Sequence, residues 1–477
     1  MKIRIVSFSN DILRWERGLA SALQSAGYQV QIDYRGNAPA ARFLKTALAM
    51  ERLAGKASAE PPAFASSDVF SGEPDVILDL TGNVAPGQVP VLSARIDGRP
   101  AMSDGLLRLR AGSGLVEIVA YRDDRPVGRA APMIHDKVWL SRDIDMLLVS
   151  VHALFIQTLA RLRTGCLEEI VLPPVGPMTD WPALTYARRF AGGIAARMMK
   201  RLTPGSRDFS WRTGYRFIDG PGIADTLRID GPSFSMLADD GERFYADPFP
   251  IMHDGRCLLF VEEYPYALGR GVISVAELGA DGQFGRPRVV LEEAHHLSYP
   301  NVFAHDGAVF MIPESGAAQE VVLYRADPFP DRWLREAVLI EGRTFSDATL
   351  FFHQGRFWMF GTERFVGGNP SDTMAVYHAT NLRGPWLPHP LNPVLIDRSG
   401  ARPGGRVIEK DGKFFLPVQD GAEAYGAGLG LREILVLDAS DIRLGPVQPI
   451  QDAAGKGPAS LHTLNRVGRL EVIDMRA

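Results

Sequence analysis

The sequence predicts two domains, an α/β Rossmann-like N-terminal domain followed by an all-β five-bladed β-propeller. Three observations carry that prediction. The chain opens with a β-α-β pattern, helical periodicity stops past residue 240, and five turns containing glycine then recur at spacings of 52, 48, 57 and 56 residues. A length of 477 residues is also too great for one ordinary core. The expected divisions are residues 1–202, a linker with a propeller-closing strand at 203–240, and the propeller at 241–477.

In the first domain, Lys2–Phe8 alternates and is β-branched, Trp15–Ala26 has helical periodicity, and Gly27 is placed to end that helix. Tyr28–Tyr34 alternates again, and Val76–Leu80 is nearly all apolar, as a strand covered on both faces would be. Ligands in open α/β sheets sit at strand carboxyl ends, which directs attention to Ser7–Asn10 and Thr81–Asn83. After the first strand the chain reads FSNDILRWERG, without the G-x-G-x-x-G of a dinucleotide site, and no G-x-x-x-x-G-K loop occurs. No nicotinamide cofactor is expected. Helices follow at Asp143–Arg163 and Asp180–Leu202, with Pro173, Pro174 and Pro177 between them.

The layout of residues 1–165 resembles a formyltransferase-type N-terminal domain. Active members of that type hold an Asn, a His and an Asp close together. Asn83 matches the first, but no histidine precedes His135, so the resemblance implies a scaffold or a degenerate site.

Past residue 240 each unit is a strand, a two-residue turn ending in glycine, and a second strand. The units are ADPFPIMHDGRCLLFVEE, SYPNVFAHDGAVFMIPES, FSDATLFFHQGRFWMFGTE, ARPGGRVIEKDGKFFLPVQD and SLHTLNRVGRLEVID, with Gly255, Gly307, Gly355, Gly412 and Gly468 at the turns. Asp-Gly between alternating apolar runs is a hairpin signal, because a type I′ turn needs positive φ. A period near 50 fits propeller blades. The last unit stops two strands short of a blade, and Phe209–Ile218 is the strand available to complete it and close the ring. A β-sandwich of hairpins would explain the strands but not their regular spacing.

The composition, 46% hydrophobic and 23% charged, is that of a globular protein. A net charge of −4 supplies no general attraction for nucleic acid or an anionic membrane. Cys166 and Cys257 lie far apart without metal-ligand spacing and read as reduced thiols. The start, MKIRIVSFSND, lacks the apolar core of a signal peptide. The longest apolar stretch, MLLVSVHALFIQTLARL (146–162), contains His152 and Gln157 and reads as a buried or amphipathic helix, not a membrane span. The expected compartment is the cytoplasm.

In a propeller the start of each first strand and the end of each second strand share one mouth. First strands bring Asp247, Tyr299 with Asn301, Asp347, Arg402 and His462 there, and second strands bring Glu262 and Glu263, Glu314, Glu363, Gln419 with Asp420, and Asp474. Such a set is expected to form a binding or catalytic site. In the alternative reading, Arg402 and His462 pair with the acids and set blade register. Two carboxylates facing one channel suit glycosidic-bond chemistry, one as proton donor and one as base. Asp247 and Asp347 start blades one and three, so they are expected on opposite sides of the channel, as in an inverting pair roughly 6.5–9.5 Å apart. Arg402 is expected to hold a hydroxyl or phosphate through two hydrogen bonds, and Tyr264, Tyr266 and Tyr425 to stack on a sugar ring.

The pieces YADPF (245–249), LSYPNVF (297–303), MIPES (311–315), LYRADPFPDRW (323–333), FSDATLF (345–351), GPWLPHPLNPV (384–394), ARPGG (401–405) and HTLN (462–465) resemble the five-bladed domains of glycoside hydrolase families 43 and 32. They are closer still to the N-terminal-domain family of glucosamine inositolphosphorylceramide transferases. The family-43 resemblance implies Asp247 as base and Asp347 as the second, orienting aspartate. Those hydrolases place their acid, a Glu, where this chain has Arg402-Pro-Gly-Gly, and Glu314 is the nearest substitute. The expected catalytic set is Asp247, Asp347 and Glu314. Arg402, Tyr299, Asn301, Glu262, Glu363, Gln419 and His462 are expected to bind substrate. The expected function is transfer or cleavage of a glycosyl unit in surface-glycan or glycolipid assembly, with a sugar or glycolipid as partner. A nucleotide sugar is the donor considered, and neither cofactor nor metal is predicted. The alternative is a formyl or acyl transferase in the first domain with a non-catalytic, glycan-binding propeller.

Overall fold

The structure, a computed structural model, describes residues 1–8, 15–36, 41–53, 70–102, 104–111, 116–134, 138–172, 183–202, 210–365, 368–455, 457 and 460–476. Asn10, His135, Pro173, Pro174, Pro177 and Phe209 lie outside them. The chain divides into two compact units, Met1–Ser206 with Phe365–Asn369, and Arg207–Arg364 with Pro370–Ala477.

The first unit is built on a seven-stranded mixed sheet. Lys2–Ser7 lies between Gln29–Tyr34 and Val76–Asp79, and Val91–Ile96 follows, all parallel. Ile118–Arg122 and Arg125–Ala130 then add antiparallel, and the short strand Arg99–Pro100 pairs Val91–Ile96. The sequence reading of an open α/β sheet names three of the four parallel strands, and neither Val91–Ile96 nor the antiparallel strands. The polar residues of Val91–Ile96 and the charged ends of the hairpin break the apolar pattern on which that reading relied. At the carboxyl end of Val76–Asp79, the Asp79 carboxylate accepts the Thr81 and Gly82 N–H groups at 2.9 and 3.1 Å and the Val84 N–H at 2.9 Å. This is an Asx-type turn that shapes the Thr81–Asn83 loop.

The helix Leu140–Thr164 is long and apolar enough to cross a membrane, and 83% of its most apolar window is buried in the protein. Its N-terminal Leu140 and Ser141 N–H groups donate to the buried Glu51 carboxylate, at 2.5 and 3.2 Å. An anion there opposes the positive end of the helix dipole. Gly165, at φ 74°, ends the helix in the left-handed conformation.

The second unit is a five-bladed propeller. Blade one runs Arg243–His253, Arg256–Pro265, Val272–Glu277 and Arg288–Leu291, and blade two runs Ser298–His305, Ala308–Glu314, Glu320–Ala326 and Trp333–Glu341. Blade three contains Phe345–His353, Arg356–Glu363 and Thr373–Ala379, with Leu387–Pro388 and Leu395–Ile396 on its outer edge. Blade four begins with two short pieces, Arg402–Pro403 and Ile408–Lys410, both paired to Lys413–Asp420, and continues through Gly428–Leu437 and Ile442–Pro449. Blade five takes Leu461–Val467 and Leu470–Arg476 from the end of the chain, and Trp211–Phe217 and Ser235–Met236 from ahead of blade one.

The hairpin turns explain the repeat. Asp254-Gly255, Asp306-Gly307, Gln354-Gly355 and Asp411-Gly412 all have positive φ at both residues, the type I′ requirement. The fifth turn differs from the sequence reading. Val467 pairs with Leu470, so the turn residues are Gly468-Arg469, and glycine stands first instead of last. Only that first position needs positive φ in a type II′ turn, and Gly468 supplies it at 55°. Between blades one and two the core is large and aromatic, with Phe249, Phe260, Tyr299 and Tyr324 buried together.

Candidate functional site at one propeller mouth

Three first strands carry the same irregularity. Register breaks between Ala246 and Phe249, between Ser298 and Asn301, and between Ser346 and Thr349, so two residues oppose one on the neighbouring strand. At each break a non-glycine residue has positive φ, Asp247 at 49°, Tyr299 at 46° and Asp347 at 52°. Asp tolerates that conformation, but for Tyr it is strained, and strain of this kind is kept only where surrounding contacts enforce it.

The enforcing contacts form a series around the ring. Each bulge N–H, which the ladder no longer uses, donates to a carboxylate from the preceding blade. Asp474 receives Asp247 at 2.8 Å, Asp247 receives Tyr299 at 3.1 Å, and Glu314 receives Asp347 at 3.2 Å. The carbonyls freed by the bulges are met similarly. The Asn465 amide donates to Pro248 at 2.9 Å and the Asn301 amide to Ala348 at 3.0 Å. Several mouth acids therefore do structural work, because a buried backbone group left unpaired is costly.

The mouth opens into a pocket of about 430 Å³. Asp247, Glu262, Glu314, Arg402, His296 and His462 bring its charged and titratable groups, and Trp211, Phe244, Tyr264, Tyr266 and Tyr425 form an aromatic wall with Ser298 beside it. The Tyr264 ring stacks on Phe244 at 5.0 Å, with 2° between their planes. These tyrosines are half-buried, not exposed, since each packs on a neighbouring ring.

Asp247 sits at the centre of a hydrogen-bonded group. Its Oδ1 accepts the Thr463 hydroxyl at 3.0 Å and lies 3.1 Å from His462 Nδ1, which is also 3.2 Å from Asp474 Oδ2. The other ring nitrogen of His462 meets the Tyr425 hydroxyl at 2.6 Å. Burial raises the Asp247 carboxyl, but the His462 charge and the His462 and Thr463 hydrogen bonds outweigh it and leave Asp247 below the usual range. Burial opposes charge on His462 too, yet Tyr425, Asp474 and Asp247 hold it well above its ordinary value. Asp247 is thus an ionised carboxylate beside an imidazolium.

Glu262, on the strand paired to Asp247's own, behaves oppositely. Burial, and then the Asp247 charge, push its carboxyl well above the usual range. His296 Nε2 stands 3.4 Å from Glu262 Oε1, while His296 Nδ1 accepts the Gly271 N–H at 2.8 Å. That second bond places the ring proton on Nε2, facing Glu262. Burial and charge thus shift two carboxyl groups of one pocket in opposite directions.

Arg402 does not match its expected role as a two-bond clamp. Its Nε and Nη2 donate to Asp347 at 2.6 and 3.2 Å, Nη1 donates to Ser371 at 3.0 Å, and Nη2 also reaches Glu314 at 3.4 Å. Four of its five N–H directions are taken by the protein. Asp347 is buried beneath Arg402, outside the pocket lining, and also accepts Gln419 Nε2 at 2.7 Å. Burial raises the Asp347 carboxyl to about 8, Arg402 pulls against that rise, and Glu314 adds to it.

Of the residues selected from sequence, Asp247, Glu262, Glu314, Arg402 and His462 meet in the pocket. Tyr299, Asn301, Glu363 and Gln419 do not. Tyr299 is fully buried, its hydroxyl accepting the Gly405 N–H at 2.7 Å and meeting Thr349 at 2.7 Å. Glu363 points to Arg343 and Tyr377, both at 2.9 Å. Strand order placed these residues at the mouth, but the bulges and blade contacts turn them inward. Trp211, Phe244, His296 and Ser298 were missed. Trp211 precedes the repeat, whereas Ser298 lies inside the LSYPNVF motif and Phe244 directly before YADPF, signals that could have found them.

Among the described residues, Asp247, His462 and Asp474 place three possible ligand atoms within 4.8 Å of one another. Those atoms already face one another through the His462 Nδ1 proton, so the group is satisfied internally.

A family model described as "Glucosamine inositolphosphorylceramide transferase 1, N-terminal" matches residues 235–476. The chain belongs to this family. Glucosamine inositolphosphorylceramide transferase 1 of Arabidopsis thaliana is 32% identical over 221 residues, covering 46% of this chain and 29% of that protein. Its counterpart from Oryza sativa subsp. japonica is 34% identical over 220 residues, 45% of this chain and 29% of that one. The match thus spans less than a third of the length of these curated relatives. Among solved structures, a family 117 glycoside hydrolase from Zobellia galactanivorans aligns at a TM-score of 0.37 and 11% identity, over 56% of this chain and 90% of that one. An exo-beta-1,3-galactanase from Clostridium thermocellum aligns at 0.35 and 15%, over 43% and 49%.

Proposed function

We propose that the propeller mouth is a saccharide site that transfers or cleaves a glycosyl unit of a glycolipid or surface glycan. The observation carrying this reading is one aromatic-walled pocket that holds two carboxyl groups in opposed surroundings, Asp247 kept below the usual range by His462 and Glu262 pushed well above it by burial. Glu262 donates its proton to the leaving glycosidic oxygen. Asp247 accepts the proton of the attacking hydroxyl or water as the new bond to the anomeric carbon forms. The aromatic wall packs against the apolar face of the sugar ring. Glu314, first considered as the acid, is instead tied to Arg402 and to the Asp347 N–H, and Arg402 organises these carboxylates.

The names of the plant relatives support a glycolipid with a glucosamine unit as the substrate class. The carboxyl-rich lining also suits a neutral or amine-bearing sugar better than a phosphate, because Arg402 is engaged by its own protein partners. The test is a thermal-shift panel of glucosamine, N-acetylglucosamine, galactose and their nucleotide conjugates. Stabilisation by a free saccharide, diminished in Tyr264→Ala, supports the reading. No stabilisation by any saccharide or conjugate, or equal shifts in the variant, contradicts it.

A further inference from the structure

We infer that Trp211, on the strand that closes the ring, is a positioning residue for the mouth pocket; the inference rests on reading that pocket as a ligand site. Trp211 is the first residue of Trp211–Phe217, which pairs along its length with the last strand, Leu470–Arg476. Its ring is buried and stands 4.5 Å from the His462 ring, with 30° between their planes, and 6.1 Å from Tyr425, edge to face at 87°. Those two partners are joined to each other at 2.6 Å, and His462 continues to Asp247. The indole thus braces the imidazole whose other edge holds the Asp247 carboxylate.

A second feature marks the same contact. Gly426 has φ +73°, and a Cβ there would fall 2.1 Å from the Trp211 ring. Glycine at this position leaves the space that the indole occupies. Trp211 also lies ahead of the family-matched segment, which begins at residue 235. Part of the pocket wall therefore comes from outside the family-matched segment, and docking the closing strand completes both the ring and the pocket.

The experiment follows the His462 ring N–H signal by NMR in full-length protein labelled at histidine, assigned with His462→Gln. Buried and bonded, this proton gives a resolved signal in the wild type. In Trp211→Leu, which keeps apolar volume without a ring, the signal is expected to vanish into solvent exchange, and in Trp211→Phe to persist. Phe217→Ala, an exposed position on the same strand, is expected to leave it unchanged. Gly426→Ala, whose Cβ would press on the indole, displaces the signal if Trp211→Leu does not fold. An unaltered signal in Trp211→Leu and Gly426→Ala overturns the inference, as does an equal loss in Phe217→Ala. A wild type that binds no saccharide, with the His462 signal still lost in Trp211→Leu, contradicts the ligand reading and upholds the positioning role.

Discussion

His462 Nδ1 lies 3.1 Å from Asp247 Oδ1, within a pair that burial removes almost wholly from water. The imidazolium opposes the desolvation that would otherwise protonate Asp247. Replacing it with a neutral amide, His462→Gln, is expected to raise the Asp247 carboxyl. The acid limb of any pH–rate profile then moves to higher pH. A profile whose acid limb stays in place would separate His462 from the ionisation of Asp247.

Glu262 shapes the opposite limb. Its carboxyl is raised in the folded protein, so between the ordinary carboxylate value and the raised one the folded state holds a proton that the unfolded state has lost. Stability from this group is complete below the ordinary value and declines as pH rises through the raised one. Glu262→Gln is expected to abolish proton donation, reducing turnover by about 10²–10⁴-fold. The same variant should melt above wild type in mildly alkaline buffer. Melting curves at several pH values check the second effect independently of any substrate.

Tyr299 serves the fold. Tyr299→Phe leaves the Gly405 N–H without its acceptor, at an expected cost of about 1–3 kcal/mol. Urea unfolding measures that cost, while saccharide affinity at the mouth is expected to remain within about twofold of wild type, since this change removes no pocket group. A large loss of affinity without loss of stability would return Tyr299 to the binding set.

The turn glycines give a local test of the repeat. Gly355 sits at φ +71° with open space around a Cβ, so Gly355→Ala pays only the backbone strain of the left-handed conformation. A destabilisation of about 1–2 kcal/mol is expected from denaturant titration.

These cases show what the residues disclose and what they conceal. The five blades are legible because a positive-φ pair leaves a local signature, Asp-Gly, that needs no tertiary information. Gln354-Gly355 remains readable because glycine keeps the more demanding position. The Gly468-Arg469 turn was read one residue early, since register depends on the Val467 and Leu470 pairing and not on glycine alone. The candidate site was legible only as far as strand order reaches. Asn301 and Glu314 share the mouth in sequence, but the bulges of the next blade engage one through a carbonyl and the other through an N–H. The incomplete last repeat points to the strand that carries Trp211, but no other unit holds a counterpart that marks Trp211 itself as a pocket residue. In the antiparallel half of the first unit's sheet, Arg125–Ala130 (RPVGRA) does not stand out because it is polar and holds Pro126 and Gly128.

In our reading, Asp247 and Glu262 form an acid–base pair that acts on a glycosyl unit. The most direct test of this reading is mass-spectrometric product analysis with a glucosamine-bearing inositolphosphoryl glycolipid, for wild type, Asp247→Asn and Glu262→Gln. With wild type the glycolipid is expected to lose one glycosyl mass to water, or to gain one when a nucleotide-sugar donor is supplied, and with each variant to do so about 10²–10⁴-fold more slowly. Product formed at the wild-type rate by either variant, or the absence of any glycosyl change with wild type, would contradict the reading.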